Sequence, residues 1–284
     1  MGLHELTGRI GDVEALDRLT GPMVRTAKKL IPAGPVKDVL SGRPLGHPVH
    51  PPLTDVPIGY FTGATLLDLL GGERFDDAVE ALLALGIIGA VPTASAGLSD
   101  WSDTYGAEQR IGLVHALANV TALGLFAGSL LARRRGSPLL GRTLGLAGLT
   151  TMAAGGYLGG HLSYTRGVGV NNAFYQHEPE DWTAVMDAAD LPADSPTKVE
   201  VGDATILLYR SGDQIHAIGS RCSHAGGPLQ EGKIDDDGPC VQCPWHGSVF
   251  RLDDGSVVHG PASVPQAAYD VRTPDGRIEV RLRG

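Results

Sequence analysis

The chain has 284 residues, 40 of them glycine, and carries a net charge of −9. Its three cysteines exclude a disulfide scaffold and suit a reducing compartment. The charge is uneven: residues 1–170 hold 14 acids and 14 Lys/Arg, whereas the stretch from Asn171 onward holds 18 acids and nine Lys/Arg, which argues against nucleic acid and suits a basic protein partner. No N-terminal stretch combines a basic start, an apolar core and a cleavage site, so no signal peptide is expected.

Residues 1–40 read as amphipathic helices. Val13, Leu16 and Leu19 form one apolar stripe, Val24, Ala27, Leu30 and Ile31 a second, and Gly21-Pro22 breaks between them. Lys28 and Lys29 fall on the polar face, so the segment either lies on a membrane surface or packs on its own protein. Ile31 to Pro35 reads as a linker.

Residues 41–170 read as a four-helix transmembrane domain. In Gly46-His47-Pro48-Val49-His50-Pro51-Pro52 the prolines hold two histidines on a turn and delay a helix until about Leu53. Three charge-free runs follow, Ala81–Ser99 of 19 residues, Ile111–Ala132 of 22 and Thr143–Thr165 of 23, near the roughly 20 residues that a bilayer core needs. Val56–Leu67 is a shorter first span. Gly59/Gly63, Gly124/Gly128, Gly155/Gly159 and Gly156/Gly160 have the spacing that lets helices approach closely in lipid. A soluble helical bundle is the alternative.

Four spans return the chain to its starting face. His47, His50, Asp55, Asp100, Asp103, His115 and His161 then gather there, and ionisable groups at membrane depth are functional candidates. Histidines on neighbouring helices can ligate a b-type haem, His with Asp can hold a divalent metal, and a quinone fits the same polar end. The alternative is that these histidines only hydrogen-bond helix ends. Lys37, Arg43, Arg110 and Arg166 flank one side, against Arg74, Arg133, Arg134, Arg135 and Arg142 on the other, so cation counting leaves orientation open. The lack of a twin-arginine signal favours a cytoplasmic C-terminal domain.

Residues 181–284 read as short strands. Trp182–Val185 and Lys198–Val201 are strand-like, and Thr205–Arg210 with Gln214–Ile218 across Ser211-Gly212-Asp213 make a hairpin. Asp253-Asp254-Gly255 and Pro274–Arg277 are further turns, so a small antiparallel barrel or sandwich is expected.

Two Cys–His pairs punctuate these strands: Cys222-Ser223-His224-Ala225-Gly226-Gly227-Pro228-Leu229, then Cys243-Pro244-Trp245-His246-Gly247-Ser248-Val249-Phe250. Two thiolates and two imidazoles can hold a tetrahedral zinc. The small residues after each pair favour a cluster instead, because they let backbone N–H groups point at sulfides.

This pattern closely resembles the Rieske family, over Asp181 to Gly284. The resemblance implies one [2Fe–2S] cluster, with Cys222 and Cys243 on one iron, His224 and His246 on the other, outer iron, and Ser248 donating a hydrogen bond to the cluster. Gly227 and Trp245 stand where quinol-oxidising members carry a disulfide, so the chain is closer to Rieske ferredoxins. Phe250 replaces a tyrosine that raises the potential in high-potential members. Cys240 is expected as a half-buried strand residue. Residues 40–170 resemble a bacterial four-helix membrane domain, domain of unknown function 2231, through Gly46–Gly59, Gly97–Trp101, Gly159–Tyr164 and Gly167–Val170.

The fold expected is thus a transmembrane four-helix bundle followed by a small all-β Rieske domain. The function expected is one-electron transfer, at the cell membrane, between redox partner proteins not encoded in this chain. Two alternatives stand beside it: a membrane oxidoreductase with a haem or quinone wired to the cluster, and a cluster-based redox sensor.

Overall fold

The computed structural model describes residues 2–176, 179–235 and 238–283. The chain folds as two units, one of residues 1–30 and 49–168, the other of residues 31–48 and 169–284.

The first unit is helical. Helices α1 (Leu3–Gly11) and α2 (Asp17–Leu30) precede four long helices, α4 (His50–Gly71), α5 (Asp76–Trp101), α6 (Gly106–Arg134) and α7 (Pro138–Gly160). Helix α4 starts three residues before the expected Leu53. Pro51 and Pro52 are tolerated because the first turn of a helix leaves its N–H groups unpaired. Among the described residues, only α5 and α6 are long and apolar enough to cross a membrane. Prolines and Asp55 dilute α4, and glycines and threonines dilute α7.

The four long helices form a ring, each packed on the next, with α7 closing onto α4. Phe61 of α4 and Phe126 of α6 stack across its centre, ring centroids 3.9 Å apart and 4° from parallel. Glycines make room for them. A Cβ on Gly86 would lie 2.5 Å from the Phe61 ring, and one on Gly148 3.0 Å from that of Phe126.

A buried charge network ties one end of the ring. Arg133 of α6 pairs with Asp68 of α4 and, at 3.1 Å, with Asp76 of α5. Arg142 of α7 lies 3.7 Å from Asp68. The Arg133 and Asp68 side chains are 2% and 7% exposed. Arg133 and Arg142 are therefore engaged within the fold, as are Arg110, paired with Asp17 at 2.6 Å, and Arg43, 3.6 Å from Asp38, on the other side of the cation count.

The second unit is a β domain. Its strands are β1 (Thr183–Asp187), β2 (Thr197–Val201), β3 (Ala204–Ser211), β4 (Gln214–Gly219), β5 (Lys233–Ile234), β6 (Cys240–Gln242), β7 (Val249–Arg251), β8 (Val257–His259), β9 (Tyr269–Arg272) and β10 (Arg277–Leu282). They form three antiparallel sheets, β1-β10-β9, β2-β3-β4 and β5-β6-β7-β8. The β3–β4 hairpin closes at Ser211 and Gln214, as the turn residues predict. Cys240 sits half-buried in β6, opposite Arg251. One core joins Leu207, Ile218, Leu229, Val241 and Phe250 to Cys222 and Cys243, so the cysteines are packed from behind by apolar side chains.

Residues 31–48 belong to this β unit, although the sequence divides them between the N-terminal helices and the helical domain. The short helix α3 (Pro35–Leu40) leads into a 3-10 turn, Arg43–Leu45. The attachment is polar: Asp38 Oδ1 accepts from Gly260 N at 2.8 Å, and Arg43 donates to Val258 O at 2.7 Å. Nothing in a linear hydrophobic pattern reports such a contact.

Candidate metal centre

Each Cys–His pair sits on a tight loop, and the two loops share one backbone plan. Gly226 N donates to Cys222 O at 2.7 Å, and Gly247 N donates to Cys243 O at 3.1 Å. Gly226 and Gly247, each four residues after its cysteine, have φ of 76° and 77°. That left-handed conformation favours glycine. Cys222 N and Cys243 N then close the loops onto Gly227 O and Ser248 O, both at 2.8 Å.

The loops fold their amides over the sulfurs. Cys222 Sγ accepts from the N–H groups of His224 and Ala225, and Cys243 Sγ from those of Trp245 and His246. The two sulfurs also hydrogen-bond each other, so one proton serves both. That bond is the largest influence on each: it raises the Cys222 thiol, with burial adding to it, and lowers Cys243 to about 6. Gly227 is pressed against this pair, since a Cβ there would fall 2.8 Å from Cys243 Sγ.

The imidazoles lie together. The rings of His224 and His246 are 4.8 Å apart at their centroids, at 82° to one another. His224 is pushed down to about 3, mainly by burial and then by the positive charges of His246 and Lys37. A neutral imidazole is the form that binds a metal. Its Nδ1 is buried with no hydrogen-bond partner, and a ligand bond would satisfy that atom.

The donor chemistry fits an iron–sulfur group better than a single ion. Among the described residues no three His, Cys, Asp or Glu side chains are grouped to hold one metal ion. Paired thiols and paired imidazoles on two matching loops suit a two-iron group with S ligands on one iron and N ligands on the other.

Neighbouring segments brace the loops. Ser223 Oγ donates to Val264 O at 2.7 Å. Asn172, in the connector that enters the β unit, donates through its backbone to Ser223 O and through Nδ2 to His224 O, both at 2.9 Å. Sequence reasoning missed Asn172, and only its place just before the strands could have signalled it. Ser248 is fully buried, and its Oγ accepts from Ala262 N at 2.9 Å. The hydroxyl proton is left to donate elsewhere.

The histidines of the helical unit are placed differently. His50 Nδ1 lies 3.0 Å from Thr93 O of α5, and a Cβ on Gly97 would meet its ring at 2.7 Å. His115 Nδ1 lies 2.8 Å from Gly155 O of α7, with Asn119 beside it. His161, just past α7, is buried, and its ring is 5.6 Å from that of His4 on α1. His50, His115 and His161 therefore fall at one end of the ring, opposite the Arg133 network. Asp100 in the last turn of α5 and buried Asp103 just after that helix lie at that end, and Asp55 is exposed on α4. His47 is exposed and belongs to the β unit, its ring 3.0 Å from Pro48 O.

A small three-sheet β domain with two Cys–His loops, its thiols buried and its imidazoles half-exposed, defines an iron–sulfur electron carrier. The chain belongs to the Rieske [2Fe–2S] family: the model of the Rieske [2Fe-2S] domain matches residues 181–271. Residues 46–172 match the family described as "Predicted membrane protein (DUF2231)". The ferredoxin CarAc of Metapseudomonas resinovorans is 33% identical over 35% of this chain and 92% of its own length. The anthranilate 1,2-dioxygenase ferredoxin subunit of Burkholderia cepacia is 29% identical over 36% of this chain and 93% of its own. A solved ferredoxin of carbazole 1,9a-dioxygenase from Nocardioides aromaticivorans IC177 is 28% identical, covers 36% of this chain and 98% of that one, and has a TM-score of 0.34. The cofactor is one [2Fe–2S] cluster.

Proposed function

We propose that this chain is a membrane-anchored Rieske ferredoxin that passes single electrons between redox partner proteins. The observation that carries this reading is the paired-loop geometry, with buried thiols behind and two imidazoles in front. Cys222 and Cys243 would hold the inner iron, and His224 and His246 the outer one. Bound there, the cluster supplies a one-electron couple. The N–H groups of His224, Ala225, Trp245 and His246 hold negative charge on the thiolates. The half-exposed imidazoles and the exposed Trp245 form the edge through which a partner makes contact. One relative is the anthranilate 1,2-dioxygenase ferredoxin subunit, so an oxygenase component is the acceptor class we favour. The excess of acids over Lys and Arg from Asn171 onward suits a basic docking face.

The helical unit is the anchor in this reading, with α4 to α7 as four spans and the β unit on the cytoplasmic side. The buried Arg133–Asp68 pair supports a bundle in which all four helices stay together, and three free cysteines suit a reducing compartment. Whole protein purified from membranes, with optical and EPR spectra taken, tests both parts. A [2Fe–2S] signal in the membrane fraction is expected, and purified protein that takes up no such cluster refutes the carrier.

A second reading, a redox group within the helical unit, is favoured by His161. Its ring is buried, its Nε2 lacks a partner, and it faces His4. A haem band or extractable quinone, lost in His161→Ala protein, tests it.

A further inference from the structure

Asn172 is the last residue of the stretch that matches the helical family, 46–172, and it precedes the Rieske stretch, 181–271. It nevertheless folds with the β unit and is half-buried there. Its bonds to the first ligand loop both end on carbonyls. The backbone N–H donates to Ser223 O and Nδ2 donates to His224 O, each at 2.9 Å, and Nδ2 also reaches Val170 O at 3.2 Å.

Each of the two loop carbonyls belongs to a peptide whose other end faces Cys222. The Ser223 carbonyl is joined to the His224 nitrogen, and the His224 carbonyl to the Ala225 nitrogen. The loop turns like the first turn of a helix, with Gly226 N donating to Cys222 O at 2.7 Å. In such a turn the side chain of the first residue accepts from the amides two and three positions on. Those amides are His224 N–H and Ala225 N–H, the two donors to Cys222 Sγ. Two hydrogen-bond chains therefore run from Asn172, each through one peptide, to the same sulfur. Bonds in such a chain polarise one another, since a peptide whose carbonyl accepts a bond has a more strongly donating N–H.

We propose that Asn172 is a positioning residue for the cluster: it polarises the Ser223–His224 and His224–Ala225 peptides, strengthens both amide bonds to Cys222 Sγ, and so raises the reduction potential. This rests on the cluster reading above. Reduction adds one electron from the redox titrant and makes the centre one unit more negative. No bond of the protein forms or breaks, and no proton moves. Stronger donors to sulfur favour the more negative state. The donor comes from the connector, so a residue outside the matched Rieske stretch tunes the centre.

Protein-film voltammetry of the full chain in detergent, with thermal unfolding followed by circular dichroism, tests this. Asn172→Ala removes the Nδ2 donor and keeps the backbone N–H, so it cuts one of the two chains. With each bond in a chain strengthened by roughly 10–30%, the reduction equilibrium shifts on the order of twofold toward the oxidised form, or about 18 mV at 59 mV per tenfold for one electron. Ser223→Ala is the control. It drops the bond from Ser223 Oγ to Val264 O, a brace of the same loop, and leaves both peptides bonded to Asn172. It melts earlier and keeps the wild-type midpoint. Full cluster content with an unchanged midpoint in Asn172→Ala reduces Asn172 to a brace and overturns the proposal. An equal fall in Ser223→Ala overturns it too, because a looser loop then accounts for the shift. If Asn172→Ala takes up no cluster, Asn172→Leu decides, since it keeps the branched shape without the donor: a lowered midpoint supports the proposal and an unchanged one overturns it. Wild-type protein with no [2Fe–2S] signal would instead overturn the cluster reading.

Discussion

Ser248→Ala separates two roles of one hydroxyl. The Ser248 oxygen accepts from Ala262 N at 2.9 Å, and both residues are buried to within 1% of complete. Removing it leaves that N–H unsatisfied, which costs about 1–3 kcal/mol of stability. The hydroxyl proton is not used in that bond, so it can donate to the centre. Donors to cluster sulfur strengthen when the centre gains negative charge, so losing one lowers the potential. A difference of about 1 kcal/mol between redox states is about 40 mV, at 59 mV per tenfold for one electron. Ser248→Ala is therefore expected to melt earlier and to reduce at a lower potential. Ser248→Thr adds a methyl to a filled site, which costs about 1–3 kcal/mol, but it keeps the potential. Protein-film voltammetry with thermal unfolding followed by circular dichroism reads both quantities. An unchanged midpoint in Ser248→Ala would refute the argument and assign Ser248 to structure alone.

Cys222→Ser, Cys243→Ser, His224→Ala and His246→Ala should each abolish the [2Fe–2S] EPR signal, while Cys240→Ser, in the strand β6 and outside both loops, should keep it; loss only in Cys240→Ser would reverse the assignment. The wild-type midpoint should lie in the low part of the Rieske range of roughly −150 to +300 mV, and Phe250→Tyr should raise it. A midpoint near the top of that range counts against the reasoning. Arg133→Met should lower the stability of the helical unit by about 3–5 kcal/mol, the usual result of breaking a buried pair. Asp68→Leu added to it should recover much of the loss, measured by unfolding in detergent; a loss under about 1 kcal/mol would show that water reaches the network.

The cluster loops were legible because their chemistry is local. Cys222 and His224, and Cys243 and His246, each fit within one turn, and the glycines that permit the turns follow at fixed offsets. The strands between them carried enough turn residues to reveal the β3–β4 hairpin. Residues 31–48 were not legible, because their partners His259 and Gly260 stand 221 and 222 positions away. A polar clamp at that separation leaves no periodicity.

Arg133 is the instructive failure. Read along the chain, it belongs to an Arg133–Arg135 basic run at a helix end, where solvent or lipid headgroups are the natural partners. Read around the helix, it continues the stripe Ala122, Phe126, Ser129, Arg133, spaced four, three and four residues apart, and each of those residues is buried. Phe61, Ala64, Thr65 and Asp68 make the matching stripe on α4, ending in a charge of opposite sign. An acid and a base, each placed where the core stripe demands an apolar residue, imply one another, because burying either alone costs far more than burying the pair. The same reasoning separates the histidines. His115 lies on the stripe of Asn119 and Ala122, turned toward α7, where Gly155 and Gly159 leave it space. His47 lies on no stripe and is exposed. The buried stripes thus account, once the fold is known, for the charged groups that the bundle engages, where the adjacent sequence suggested a solvated end.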